Sequence, residues 1–171
     1  PLLQGLAKTK LVQKFVNLLS ETDQEGNGIL DMQLSDDNGN YVNPGNAALF
    51  AEKHINNQLN SPTSFKAKDG KDRKLFKLSL SLREDHLNSR FKKYRKEIIK
   101  QANRFKVEPA IALAITETES SFNPKATSHI PAYGLMQLVP ASGARDAYKY
   151  VYNKDKFLGK RYLYKPQNND L

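Results

Sequence analysis

The chain of 171 residues contains no cysteine, which excludes disulfides, thiolate metal sites and cysteine nucleophiles. It also has no apolar run of the ~20 residues that a membrane-spanning helix needs. The longest such run lies around residues 110–115, so the chain as given is expected to be soluble. It begins at Pro1 with neither a signal peptide nor a lipobox cysteine. Any export segment is therefore expected to have been removed, and any lipid anchor to lie outside this sequence. Zinc-ligand spacing, a helix-turn-helix signature and an aromatic RNA-binding motif are all missing, which argues against nucleic acid as a partner. The pattern implies no metal and no cofactor.

What is present is a hydrophobic content of 39%, enough for a compact core, and a net charge of +9. That charge favours a polyanionic surface, and nucleic acid, anionic lipid and anionic cell wall all qualify. Much of it sits in residues 66–77 and 90–106, where a solvated basic face is the simplest reading.

Leu2, Leu3, Leu6, Leu11, Phe15, Leu18 and Leu19 recur at helical spacing and predict an amphipathic helix ending near Leu19. The polar loop that follows imitates an EF-hand, with Asp23, Glu25, Asn27, Gly28 and Asp31 at positions 1, 3, 5, 6 and 9. Position 12 is Leu34, so the bidentate glutamate that closes a calcium shell is absent and no metal site is assigned. Asn38-Gly39 predicts a small hairpin between residues 29–34 and Tyr41-Val42. Asn46 is a candidate N-cap for a helix reaching Leu59, with Leu49, Phe50, Ile55 and Leu59 as its apolar face and Ser61-Pro62 as its end. After a turn at Asp69-Gly70, Phe76, Leu78, Leu80 and Leu82 alternate with Lys77, Ser79, Ser81 and Arg83, which predicts a half-buried strand.

Near residues 83–88 the hydrophobic period changes from 2 to 3.6. The reading is an α+β protein, with a mixed α and β domain over residues 1–86 and an all-α domain over residues 87–171. Asn88 or Ser89 would cap a helix bearing Phe91, Tyr94, Ile98, Ala102 and Phe105. Pro109 suits the first turn of the next helix, and Asn123-Pro124 would stop it. On that helix Glu119 continues the row of Ile111 and Ile115, whereas Glu117 points about 200° away. A carboxyl ending an apolar row would be partly buried, and desolvation would favour its protonated form, as a general acid needs. A surface glutamate on the last helical turn is the other reading.

Glu119-Ser120, Asn123-Pro124, Ala126, Ser128, Gly134-Leu135-Met136-Gln137 and Pro140 together resemble the first two signature motifs of lytic transglycosylases of the soluble-transglycosylase, goose-lysozyme-like superfamily. His86-Leu87-Asn88, Lys93-Tyr94, Tyr162-Leu163-Tyr164, Pro166 and Asn169 extend the likeness to the membrane-bound members. The resemblance implies a lysozyme-like helical lobe, peptidoglycan glycan strands as the substrate and a periplasmic, outer-membrane-associated location.

It also implies that Glu119 protonates the bond between N-acetylmuramic acid and N-acetylglucosamine, then takes the proton of the muramyl C6 hydroxyl to close a 1,6-anhydro ring. One carboxyl suffices if the substrate's N-acetyl group supports the oxocarbenium-like centre. Only Asp146, Asp155 and Asp170 follow Glu119, and none lies in a motif for a second acid. Ser128 matches a serine near the acid, and Gln137 a glutamine lining the sugar groove. Tyr133 and Met136 are further substrate-binding candidates. Each has a plainer reading: Ser128 closing a loop, Met136 as core filling, Tyr133 as a packed aromatic. Val139 stands where some relatives have methionine, and the third motif, Ala-Tyr-Asn-x-Gly, is missing, so the lobe is expected to be incomplete at its C-terminal side. A non-catalytic wall-binding scaffold and a goose-type lysozyme-like hydrolase stay open as alternatives.

Overall fold

The computed structural model describes residues 2–23, 26–58 and 62–169. Among these it has seven helices and one two-stranded antiparallel sheet, an α+β architecture. By contacts the chain divides into two compact units, one of residues 1–22 and 27–83, the other of residues 23–26 and 84–171.

In the first unit, α1 (Leu2–Leu19) and α2 (Ala47–Gln58) share a core of Phe15, Leu19, Leu34, Val42, Ala47, Phe50, Ala51 and Ile55. Phe15 and Phe50 stack with ring centroids 5.7 Å apart. Burying one such side chain contributes about 1.5–3 kcal/mol. The expected stripes need correction. Leu6 and Leu18 of α1 and Leu49 of α2 are exposed, because Val12, Val16, Ala47 and Ala51 occupy the packed faces instead. Leu59, Ser61 and Glu25 lie outside the described residues.

Asn46 is not a conventional cap. Its Oδ1 accepts from the Asn43 backbone N–H and its Nδ2 donates to the Tyr41 carbonyl, so it fastens the incoming loop. The turn at residues 36–40 forms, with Asp36 Oδ1 accepting from the N–H groups of Asn38 and Asn40 at 2.9 and 2.8 Å. The expected hairpin shrinks to one bridge between Ser35 and Tyr41, since residues 29–33 form turns.

The sheet is the hairpin β1 (Thr63–Lys66) and β2 (Asp72–Leu75) around Asp69-Gly70, in the register Thr63↔Leu75, Ser64↔Lys74, Phe65↔Arg73, Lys66↔Asp72. The segment expected as a strand, residues 76–82, is in no strand. Its alternation is real, for Phe76, Leu78, Leu80 and Leu82 pack on the core while Lys77, Ser79 and Ser81 are exposed. Instead of a ladder, Gln58 grips the segment, its amide donating to and accepting from the Ser79 backbone at 2.8 Å each.

The second unit is helical. Helix α3 (His86–Arg104) starts earlier than expected, with Asp85 rather than Asn88 or Ser89 at its N-cap, and buries Tyr94, Ile98 and Ala102. Helix α4 (Pro109–Ser120) has Pro109 in its first turn. Helices α5 (Gly143–Tyr152), α6 (Lys160–Leu163) and α7 (Pro166–Asn169) follow. Tyr94, Ile98, Phe122 and Leu135 form one core cluster, and Ala144, Leu158 and Leu163 a second.

Candidate active site

Helix α4 carries apolar side chains on most of its faces, so its neighbours decide which face is buried. Thr116 and Ser120 are buried, and Ala112 and Leu113 pack on the core. Small residues on that face allow close approach of the second motif loop. Thr116 Oγ1 donates to the Ala112 carbonyl at 2.9 Å and lies 3.0 Å from Met136 Sδ. The expected core row is therefore overturned. Ile111 and Ile115 are 55% and 42% exposed, and Glu119 is exposed with them. Glu119 is not partly buried as expected, and among the described residues its carboxylate makes neither a hydrogen bond nor an ion pair. It stands open to whatever lies on that face.

The helix ends sooner than Asn123-Pro124 would require. Ser121 and Phe122 are both left-handed, at φ 50° and 54°. Such a conformation is costly for a bulky residue. Burial holds it here, since Phe122 is 2% exposed and meets Phe91 edge-on at 5.4 Å. The Arg90 guanidinium reaches the Ser121 carbonyl at 3.4 Å, and burial holds its pKa below the ordinary arginine value. The end of the helix that bears Glu119 is thus fixed from the side.

The loop of residues 124–140 is knotted by Asn169, a residue whose role the sequence did not disclose. Asn169 is fully buried; its Nδ2 donates to the carbonyls of Tyr133 at 2.7 Å and Leu163 at 2.9 Å, and its Oδ1 accepts from the Met136 N–H. Gly134 sits at φ +80° against this knot.

The other candidates divide. Met136 reaches Thr116 and, with Ile115, lines an open apolar groove of about 700 Å³ between α3, α4 and α5. Glu119 lies one helical turn beyond Ile115, about 6 Å along the axis. Tyr133 packs edge-on against Tyr164 at 5.8 Å. Ser128 closes its loop, donating to the Ile130 carbonyl and accepting from the Ala132 N–H. Gln137, at φ 48°, donates its amide to the Gly134 carbonyl at 2.9 Å. All four have structural partners. The groove residues Phe105, Ala147, Tyr150 and Val151 were not foreseen, because Phe105, just past α3, meets Tyr150 of α5 only in the folded chain, ring centroids 6.5 Å apart. No group of three or more His, Asp or Glu that could hold a metal exists among the described residues.

Comparison with known proteins bears on this geometry. Residues 96–170, which contain the end of α4, the knotted loop and α5 to α7, match the family described as "Transglycosylase SLT domain". Residues 96–170 are a transglycosylase SLT domain. Curated relatives of the chain, three of which follow, carry the name membrane-bound lytic murein transglycosylase C. That of Sodalis glossinidius (strain morsitans) is 35% identical over 138 residues, 80% of this chain and 37% of the relative. That of Klebsiella pneumoniae is 34% identical over 123 residues, 72% and 32% of the two chains. That of Yersinia pestis (strain Pestoides F) is 36% identical over 138 residues, 80% and 37%. The alignments span about a third of the relatives' length, and they reach beyond the SLT domain into the first half of this chain.

Proposed function

We propose that the protein is a peptidoglycan lytic transglycosylase of the membrane-bound C type, in which Glu119 is the acid and base. The observation that carries this is the exposed carboxylate of Glu119, without a partner among the described residues, on a fixed helix end within the residues that match the SLT domain. The relatives' printed name supports murein as the substrate. A glycan strand laid over Glu119 would strip water from a carboxylate that has no cationic partner among the described residues. That favours the protonated acid at the moment it is needed. Glu119 then protonates the leaving oxygen of the muramyl bond. The N-acetyl group of the substrate supports the oxocarbenium-like centre, and the carboxylate regenerated at Glu119 takes the proton of the C6 hydroxyl as the 1,6-anhydro ring closes. Met136 would form part of the groove wall, while Ser128, Tyr133 and Gln137 shape the loop and reach sugar only by exchanging present partners.

The proposed catalytic domain covers residues 87–171, preceded by a mixed domain over residues 1–86, and the proposed setting is the periplasmic face of the outer membrane. The test is mass spectrometry of muropeptides released from purified cell wall by the full-length encoded protein. Anhydro-muramyl ends support the proposal. Reducing ends would replace it with a lysozyme-like hydrolase, and binding without release with a wall-binding scaffold.

A further inference from the structure

We infer that the β1–β2 hairpin of the first unit is a docking element for the surface of an anionic lipid bilayer. Every residue of both strands is exposed, on both faces of the sheet. A two-stranded hairpin of this kind has no core of its own to justify apolar side chains. It nevertheless carries Phe65 and Leu75, 46% and 55% exposed.

The register puts these two on one face. Residues opposite each other share a face and alternate along the strand, so Thr63, Phe65, Arg73 and Leu75 point the same way. Lys68 and Lys71 stand in the turn that joins the strands and Lys77 just after β2, while Lys66 and Lys74 lie on the other face. None of these five ammonium groups has a hydrogen bond or ion pair among the described residues. Of the local acids, Asp69 is engaged with Arg73 at 2.7 Å, which leaves Asp72 as the other carboxylate in the hairpin.

The combination selects the partner. A soluble polyanion answers the lysines alone, whereas a bilayer interface offers phosphate headgroups to the turn lysines Lys68 and Lys71 and acyl boundary to Phe65 and Leu75 at once. No helix among the described residues is long and apolar enough to cross a membrane.

The experiment uses the purified chain and co-sedimentation with vesicles of equal parts phosphatidylglycerol and phosphatidylcholine. Replacing Lys68 and Lys71 by glutamine should weaken partitioning by about twenty-five-fold, at roughly fivefold per cation, and replacing Lys66 and Lys74 on the other face should weaken it less. Phe65→Ser with Leu75→Ser should weaken it by about tenfold while leaving binding to soluble polyphosphate unchanged. A Phe65→Trp variant adds a sole indole to a chain without tryptophan, and its emission should shift to the blue on adding these vesicles. Because all these side chains are exposed, the variants should keep the wild-type circular dichroism. Three results would overturn the inference: equal binding to pure phosphatidylcholine, vesicle binding that ignores the apolar pair, or an indole that stays water-exposed. The second of these, with polyphosphate competing fully, would assign the hairpin to a soluble polyanion.

Discussion

The side chain of Asn169 leaves no room for one at Gly134. A Cβ built at Gly134 would lie 2.4 Å from Asn169 Nδ2 and 2.2 Å from the Leu163 carbonyl oxygen, and φ is +80°. The close approach is what lets one buried amide tie the second motif to the C-terminal helices. Backbone and a buried amide cannot yield as a flexible side chain end would. Gly134→Ala should therefore destabilise the protein by about 2–4 kcal/mol in chemical unfolding, combining left-handed strain with overpacking. Gly143→Ala is the control. A Cβ there meets nothing within 4 Å and φ is not positive, so the change should be neutral or stabilising by up to about 1 kcal/mol.

Gln137 offers a way to separate a groove residue from a loop residue. Its amide donates to the Gly134 carbonyl, and its own backbone is left-handed. If the side chain serves only the turn, Gln137→Ala should cost about 0.5–1.5 kcal/mol and leave the KM for glycan strands unchanged. Gln137→Gly should restore part of that stability by relieving the positive φ. A several-fold rise in KM without loss of stability would instead mean that the amide leaves Gly134 for the sugar.

Acid should erase a contribution made by Asp36. Hydrogen bonds from the Asn40 side chain and backbone, the leading causes, hold its pKa below the usual 3.8. A carboxylate depressed on folding adds stability that is complete above the unfolded value and is lost as pH falls through the folded one. Asp36→Ala should be less stable than wild type at neutral pH. That gap should close as the pH drops below about 3.8 and vanish beneath the folded pKa. Thermal melts of both proteins across that range would show it, and a gap that persisted in strong acid would assign the effect to something other than ionisation.

Much of the helical unit was legible because its patterns are unambiguous. Phe91, Tyr94, Ile98, Ala102 and Phe105 define one face of α3, and Pro109 marks the start of α4. The orientation of α4 was not legible. Ile111, Ala112, Leu113, Ala114 and Ile115 give nearly all faces an apolar character, and the choice fell to the small row through Thr116 and Ser120 because Met136 packs there. Residues 76–82 alternate correctly, yet periodicity cannot supply a neighbouring strand, and a side-chain amide took that place. Asn169 gave no signal beyond its membership in a resemblance, since a buried asparagine and a surface one look alike until their partners are known.

Glu119 and Glu117 share one helix and one chemistry but not one direction. They sit about 200° apart on the wheel, both are exposed, and among the described residues neither carboxylate has a partner. Neither substitution by glutamine should move stability by more than about 0.5 kcal/mol, so activity reports chemistry rather than folding. Glutamine at 119 keeps shape and hydrogen bonding but has no proton to give or site to receive one. Murein release by the full-length encoded protein should fall by at least the ~10²–10⁴ typical of losing a general acid and base, with kcat affected far more than KM. Glu117→Gln should leave release nearly unchanged, because its side chain points away from the row of Ile111, Ile115 and Glu119, of which Ile115 lines the groove. Should Glu117→Gln abolish release while Glu119→Gln does not, the acid would lie on the opposite face of α4 and the motif alignment that selected Glu119 would be wrong.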